Sequence, residues 1–364
     1  MTLVASGTIS IGGTVTNASI EQEINNTTFT TPYNQQASLN DASLRTLSGT
    51  TSATQVSLST FYGLSSRGTI TYTFATSLAD TTFNVTSGLA PSGGSVSGTY
   101  VAGNTDIVIN INSGVWLYAT STGNPGLTLT GGSGTDIITV NNLGYIAGCG
   151  GVGAGSTSYT PTPGNGGPAL ALGFNTTVNN TNTSAYIGGG GGGGAAQTST
   201  AAGITGGGGG GAGGGAGGGN SISFAGGTGG GFNGTGGNGY NYGNGWGGAG
   251  GGAGGGGAIA SARGIAEGSG GGGGRIFPGV GGAGATAAGG TGGSGNAVGG
   301  NSATGTGLEG VCGGGGGWGA AGGNGNYYST VNTTVGLGGN AVALNGHTIT
   351  WTSGDTSRVY GAVA

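Results

Sequence analysis

The residues able to do chemistry are few and scattered. The chain holds one histidine, His347, and no lysine. A Ser-His-Asp triad would have to use that histidine, and no Gly-x-Ser-x-Gly elbow occurs. Asp106 and Asp136 are the pair that could flank a sugar as in a glycosidase, although acids in such β-rich surroundings more commonly cap turns. No cluster of His, Cys or carboxylates has the spacing of a metal site. Cys149 and Cys312 lie far apart, each opening a glycine run, and read as small buried hydrophobes rather than a disulfide framework. Gly-x-Gly-x-x-Gly matches abound but carry no information in so glycine-rich a chain, and without lysine there is no P-loop. The five basic residues, Arg45, Arg67, Arg263, Arg275 and Arg358, form no cluster, and the net charge is −4. Nucleic-acid binding, which needs Lys or Arg on phosphates, is therefore not expected. The expectation is a protein that binds rather than catalyses, with no cofactor and no metal.

The residues suited to binding interrupt the glycine runs. Phe232-Asn233 through Tyr240-Asn241-Tyr242-Gly243-Asn244-Gly245-Trp246 is the most suggestive segment. Tyr and Trp offer large rigid contact area at low entropy cost, while Gly, Ser and Asn offer adaptable hydrogen bonding, the chemistry of antibody loops. Arg263, Arg275, Phe277 and Glu267 fall in the same set of interruptions. Phe232, Asn233, Tyr240, Asn241, Tyr242, Trp246, Arg263, Arg275 and Phe277 are thus the candidate contact residues, projecting together from one end of a scaffold. The competing reading for the aromatics, Trp246 and Trp318 above all, is that they lie over the sides of the scaffold and shield its backbone.

That scaffold must be made of glycine. There are 103 glycines in 364 residues, in runs such as 188–194, 206–211, 270–274 and 313–317. Each loses more backbone entropy on folding than any other residue. Plain disorder fits poorly with 4% charged and 34% hydrophobic residues. Collagen is excluded by only 7 prolines and no strict triplet. The remaining ordered form is a bundle of polyglycine-II helices: three residues per turn, with backbone groups pointing outward to bond neighbouring helices. A run of seven glycines would span roughly 22 Å. If such helices run back and forth, alternate connections emerge at one end. A flexible Gly-rich linker is the bland alternative.

Four parts follow, in a fold that is mainly β and irregular. Residues 1–67 read as a small N-terminal attachment module: a hairpin at Thr8–Thr16 around Gly12-Gly13, a helix in Ser38–Leu47 capped by Asn40 and burying Leu44 and Leu47, and a helical turn at Ser57–Gly63. The module has little apolar mass and is expected to dock on a partner or on itself, as in a trimer. Residues 68–147 carry alternating segments at 69–74, 106–112, 115–118, 127–129 and 137–140, predicting a compact antiparallel β domain. The glycine domain spans 148–335, and a C-terminal segment, 336–364, predicts a closing strand pair at 347–351 and 358–360. Internal repeats frame the glycine domain: Thr139-Val140-Asn141-Asn142 recurs as Thr177-Val178-Asn179-Asn180, Tyr145-Ile146 as Tyr186-Ile187, and 164–172 is echoed by 336–344. The start of the chain lacks the pattern of a signal peptide, and no window has the length of a membrane helix, so membrane insertion is not expected.

The chain resembles bacteriophage tail-fibre tip adhesins with a polyglycine-II sandwich domain. The resemblance rests on glycine runs alternating with aromatic and polar segments, and on the stretch Gly339-Asn340-Ala341-Val342-Ala343-Leu344-Asn345-Gly346-His347-Thr348-Ile349-Thr350-Trp351 with the terminal Tyr360-Gly361-Ala362-Val363-Ala364. Ser38–Leu47 followed by Phe61-Tyr62-Gly63 looks like a module common in phage tail and fibre proteins. The resemblance implies a virion protein at the tail-fibre tip, assembled in the host cytoplasm. Its loops would bind a host outer-membrane protein or surface glycan, and its partners would be other tail-fibre or tail subunits. The added N-terminal module and the β region 68–147 depart from that family pattern. Two other readings compete: a structural fibre or filament protein, and an ice-binding polyglycine protein, the latter disfavoured by the bulky interruptions.

Overall fold

The structure is a computed structural model that describes residues 3, 19–20, 42–48, 67–133, 136–155, 162–199, 204–219, 225–231, 233–242, 246–261, 267–285, 289–303, 309–327, 330–352 and 356–364. It is almost entirely strand and irregular backbone. Between residues 67 and 188 the strands are β1 (Gly68–Phe74), β2 (Leu78–Ala79), β3 (Thr81–Asn84), β4 (Ser95–Ser97), β5 (Thr105–Ile111), β6 (Trp116–Tyr118), β7 (Leu127–Thr130), β8 (Ile137–Asn142), β9 (Tyr145–Ala147), β10 (Leu170–Ala171), β11 (Thr176–Asn179) and β12 (Tyr186–Gly188). The C-terminal segment adds Val342–Ala343, Ile349–Trp351 and Val359–Tyr360.

These strands form three sheets, and successive coils of chain place one strand in each. In the first sheet β1, β5, β8, β11 and Ile349–Trp351 pair in parallel, with β4 antiparallel at the edge. In the second, β2, β6, β9, β12 and Val359–Tyr360 are parallel. In the third, β3, β7, β10 and Val342–Ala343 are parallel, and a bridge from Val342 to Val363 continues the ladder. The result is a three-sided parallel β-solenoid. It corrects two expectations. The region 68–147 is not an antiparallel domain, because its strands return only after a full coil. The C-terminal strands are not a pair either; each lies on a different face as the next rung.

Alternation along each strand builds the core. In β5, Thr105, Ile107, Ile109 and Ile111 point inward and are fully buried, while Asp106, Val108 and Asn110 are half-buried on the outer face. Register stacks like on like: Ile70, Ile107 and Ile138 lie in one row, and Tyr72, Ile109, Val140 and Val178 in another. Phe83 packs edge-on against both Tyr72 and Phe74, and the Tyr72 hydroxyl donates to the Val85 carbonyl at 2.8 Å. The sequence repeats are rungs of this solenoid. Thr177 sits on Thr139, Tyr186 on Tyr145 and Val342 on Leu170. The paired asparagines serve both faces. Asn141 Nδ2 donates to Asn110 Oδ1 at 2.9 Å outside, and Asn142 Nδ2 donates to Asn180 Oδ1 at 2.9 Å inside.

The glycine runs grow directly out of the second sheet. β9 continues into 148–154 and β12 into 189–194. Their backbones then bond one another at every third residue: Gly148, Gly151 and Ala154 donate to the carbonyls of Gly188, Gly191 and Gly194. The run 207–212 is bonded on all sides. Gly207 and Gly210 donate to Gly268 and Gly271, Gly208 and Gly211 to Ala154 and Gly151, and Gly209 and Ala212 to Gly313 and Gly316. In return its carbonyls accept from Ala258 and Gly255, from Gly218 and Gly215, and from Gly194 and Gly191. Every polar backbone group of this buried segment therefore has a partner, as burial requires. Glycine is obligatory here by contact: a Cβ on Gly209 would land on the Gly255 carbonyl oxygen, and one on Gly211 on the Gly191 oxygen.

Of the N-terminal module, the structure describes a helix, Ala42–Ser48, with Leu44 fully buried and Leu47 half-buried. The expected hairpin at 8–16, the Asn40 cap and the turn at 57–63 lie outside the described residues.

Candidate functional site

Alternating runs give the glycine bundle two ends of opposite character. At the end beside the solenoid, aromatic rings stack into a joint. Trp116 and Tyr145, one rung apart, stack at 4.5 Å between centroids. Phe277 lies against Trp116 at 5.4 Å, Tyr186 at 5.2 Å and Trp318 at 4.0 Å. Trp318 is fully buried and its Nε1 donates to the Ile276 carbonyl at 2.9 Å. Arg275 is buried beside them. Its guanidinium donates to the carbonyls of Gly230 (2.9 Å) and Ala119 (3.1 Å) and lies over the Tyr118 ring. The Cys149 thiol is also here; burial pushes its pKa up, against the lowering influence of Arg275.

At the far end the runs turn through short antiparallel strands. Gln197–Ser199 pairs with Ile204–Gly206, and Asn241–Tyr242 with Glu267–Gly268. Ile259–Ser261, Glu309–Val311, Gly325–Tyr327 and Thr330–Asn332 form a four-stranded sheet. Trp246 bridges to Ile259 at its edge. Tyr240 is 49% exposed, Trp246 45% and Val331 51%, so the far end presents apolar area to solvent. Cys312 is buried at this end, donating its backbone N–H to the Ala258 carbonyl, so the two cysteines belong to opposite ends of the bundle and are not joined to each other.

The structure divides the candidate contact residues. Tyr240, Asn241, Tyr242 and Trp246 share the far end. Arg275 and Phe277 do not join them; both sit in the joint, where one ties the bundle to the solenoid through carbonyls and the other through ring stacking. Asn233 likewise occupies a turn at the joint end, at φ +48°, and Gly234 beside it accepts the Arg275 N–H. Phe232 and Arg263 lie outside the described residues. Parity is the signal that separates the two groups: each glycine run reverses the chain, so consecutive interruptions belong to opposite ends.

The carboxylates weighed for sugar chemistry have other partners. Asp106 pairs with Arg67 Nε at 2.6 Å. Asp136 accepts from the Tyr100 hydroxyl (2.9 Å) and from the N–H groups of Gly103 and Ser133 (3.0 and 2.8 Å). His347 lies on the turn before Ile349–Trp351, its N–H bonded to the Leu344 carbonyl. Among the described residues no group of three or more His, Cys, Asp or Glu could hold a metal, and no helix is long and apolar enough to cross a membrane.

No curated protein matches the chain. Among solved structures it is similar to the gp37–gp38 adhesin tip complex of the bacteriophage S16 long tail fibre, at 16% identity and a TM-score of 0.40, over 88% of this chain and 91% of that one. The family model of the phage tail fibre adhesin Gp38 matches residues 69–264, more than half of the sequence, and the chain belongs to this family of phage tail fibre adhesins.

Proposed function

We propose that the protein is the receptor-binding tip of a phage tail fibre, recognising a host outer-membrane protein or surface glycan through the far end of its glycine bundle. The observation that carries this reading is the asymmetry of the aromatics. At the joint the rings stack on one another, with Trp116 and Trp318 buried and Tyr145, Tyr186 and Phe277 partly buried, whereas Tyr240 and Trp246 at the far end stand half in solvent on a backbone held by strand pairing. Preorganised aromatic contact area lowers the ordering cost of binding.

The three-residue bonding step and the six-neighbour pattern around 207–212 support a polyglycine-II sandwich as the rigid head. In this reading residues 1–67 attach the chain to other tail-fibre or tail subunits, with self-association as a trimer one form of that attachment. The solenoid carries the head outward, and assembly takes place in the host cytoplasm. The test replaces Tyr240 and Trp246 with alanine. Adsorption to the host should fall at least tenfold while the thermal transition stays in place; normal adsorption would remove this loop from the receptor site.

A further inference from the structure

The asparagines around the exposed aromatics have a bonding pattern of their own. The outgoing run 236–240 and the returning run 246–251 bond one another as the neck of the loop, and both are bonded to neighbouring runs as well, Gly237 N–H to the Thr228 carbonyl and Gly251 N–H to the Gly272 carbonyl. Gly236 and Gly239 donate backbone N–H groups to the carbonyls of Gly251 and Gly248. In the opposite direction no backbone carbonyl among the described residues receives the N–H groups of Gly250 and Gly247. Their N–H groups go to side chains: Gly250 to Asn238 Oδ1 at 2.8 Å, and Gly247 to Asn241 Oδ1. Asn238 and Asn241 are three residues apart, as are Gly247 and Gly250, which matches the three-residue step of the bundle. Each asparagine supplies an acceptor where a neighbouring glycine run would otherwise supply a carbonyl. The same substitution recurs at other margins, where Asn165 Oδ1 accepts from Leu337 N–H and Asn301 Oδ1 from Asn324 N–H, both at 2.9 Å.

We infer that Asn238 and Asn241 are positioning residues for receptor binding: they close the neck beneath the loop and so fix the backbone that carries Tyr240 and Trp246, rather than touching the receptor themselves. Tyr240 precedes Asn241 and Trp246 precedes its partner Gly247, so this side-chain bond ties the backbone beside one ring directly to the backbone beside the other, in addition to the backbone bonds from Ser269 N–H to the Tyr240 carbonyl and from Ile259 N–H to the Trp246 carbonyl. The inference rests on the reading that these rings meet the receptor. It gives the Asn-x-x-Asn spacing a role distinct from the adaptable contact chemistry that asparagine offers in binding loops.

Acceptor chemistry supplies the test. Each bond uses only Oδ1, so aspartate keeps it and alanine loses it. Two double variants, Asn238→Ala with Asn241→Ala and Asn238→Asp with Asn241→Asp, are compared in the full chain. The readouts are amide exchange at Gly247 and Gly250 and binding to cells of the bacterium that the phage infects. The alanine pair should exchange these amides at least tenfold faster and bind about tenfold more weakly, and the aspartate pair should keep both properties. Equal loss of binding in both pairs with exchange unchanged would make the asparagines contact residues and overturn the inference. Faster exchange in the alanine pair with full binding would overturn it as well. The Tyr240 and Trp246 alanine variant separates the two layers: if it binds normally, the receptor reading of this loop has failed, whatever the neck does.

Discussion

The solenoid and the glycine bundle answer one requirement with opposite materials. Both bury backbone and must bond all of it. The solenoid does so in sheets, with a period of two that leaves alternate side chains free to fill a core of Ile, Val, Leu, Tyr and Phe. The bundle bonds its neighbours with a period of three in several directions, which leaves no room for a side chain at positions such as Gly209 and Gly211 and admits small ones only near the ends of the runs, as at Ala212 and Ala258. A side-chain core can relax around a missing methyl, whereas a backbone core cannot admit an extra one.

The largest effect should come from testing that contrast directly. Gly209→Ala or Gly211→Ala places a methyl on a carbonyl oxygen, so neighbouring runs must part and lose several bonds of about 1 kcal/mol each, with further cost for groups left buried and unpaired. The glycine bundle should not fold, read as protease sensitivity confined to the glycine runs within 148–168 and 189–339 while the solenoid strands on either side stay protected. Ile109→Ala in the solenoid should cost about 2–5 kcal/mol and Ile109→Val about 0.5–1.5, both with the fold retained. A graded response at Gly209 would break the comparison.

Trp318→Ala probes where the two regions meet. Emptying the centre of the stack should cost about 3–5 kcal/mol. Calorimetry should then resolve separate transitions for solenoid and head; a single unshifted transition would show that the stack does not couple them.

Alkaline pH gives a smaller effect that separates the regions by titration. Burial raises the native pKa of Cys149 in the joint and of Tyr72 in the solenoid. A group raised in the folded state contributes its full stability below its unfolded value and loses it as pH climbs through the native one. Loss should therefore begin near the ordinary thiol value of about 8.5 for Cys149 and near 10 for Tyr72. Denaturant midpoints should decline in two stages, Cys149→Ala reducing the first and Tyr72→Phe the second. The smallest stability effect, within about 0.5 kcal/mol, belongs to alanine at Tyr240 and Trp246, whose expected loss is in adsorption.

The strands at 69–74, 106–112, 115–118, 127–129 and 137–140 were legible because alternation marks a half-buried strand in any sheet. Their pairing was not, because parallel and antiparallel strands alternate alike. The interval between rungs was visible in the Thr-Val-Asn-Asn repeat, whose Asn141 and Asn179 lie 38 residues apart and touch across adjacent coils. Read as a frame for the glycine domain, that repeat did not disclose the solenoid. At the candidate site, composition singled out Tyr240 and Trp246, which stand half-exposed at the far end, but it singled out Arg275 and Phe277 equally, and these lie at the opposite end.

The amino-acid sequence by itself determined that the centre of the molecule is backbone packed on backbone, since so much glycine with so little charge leaves few other ordered forms. It also determined that side-chain variety within the glycine region is concentrated in the interruptions. Only the tertiary structure decided which interruptions pack as a joint against the solenoid and which stand at the far end of the bundle. Glycine has no side chain to point inward or outward, so a run of it declares neither its direction nor its neighbours. Those are settled only when runs far apart in the chain meet and exchange hydrogen bonds.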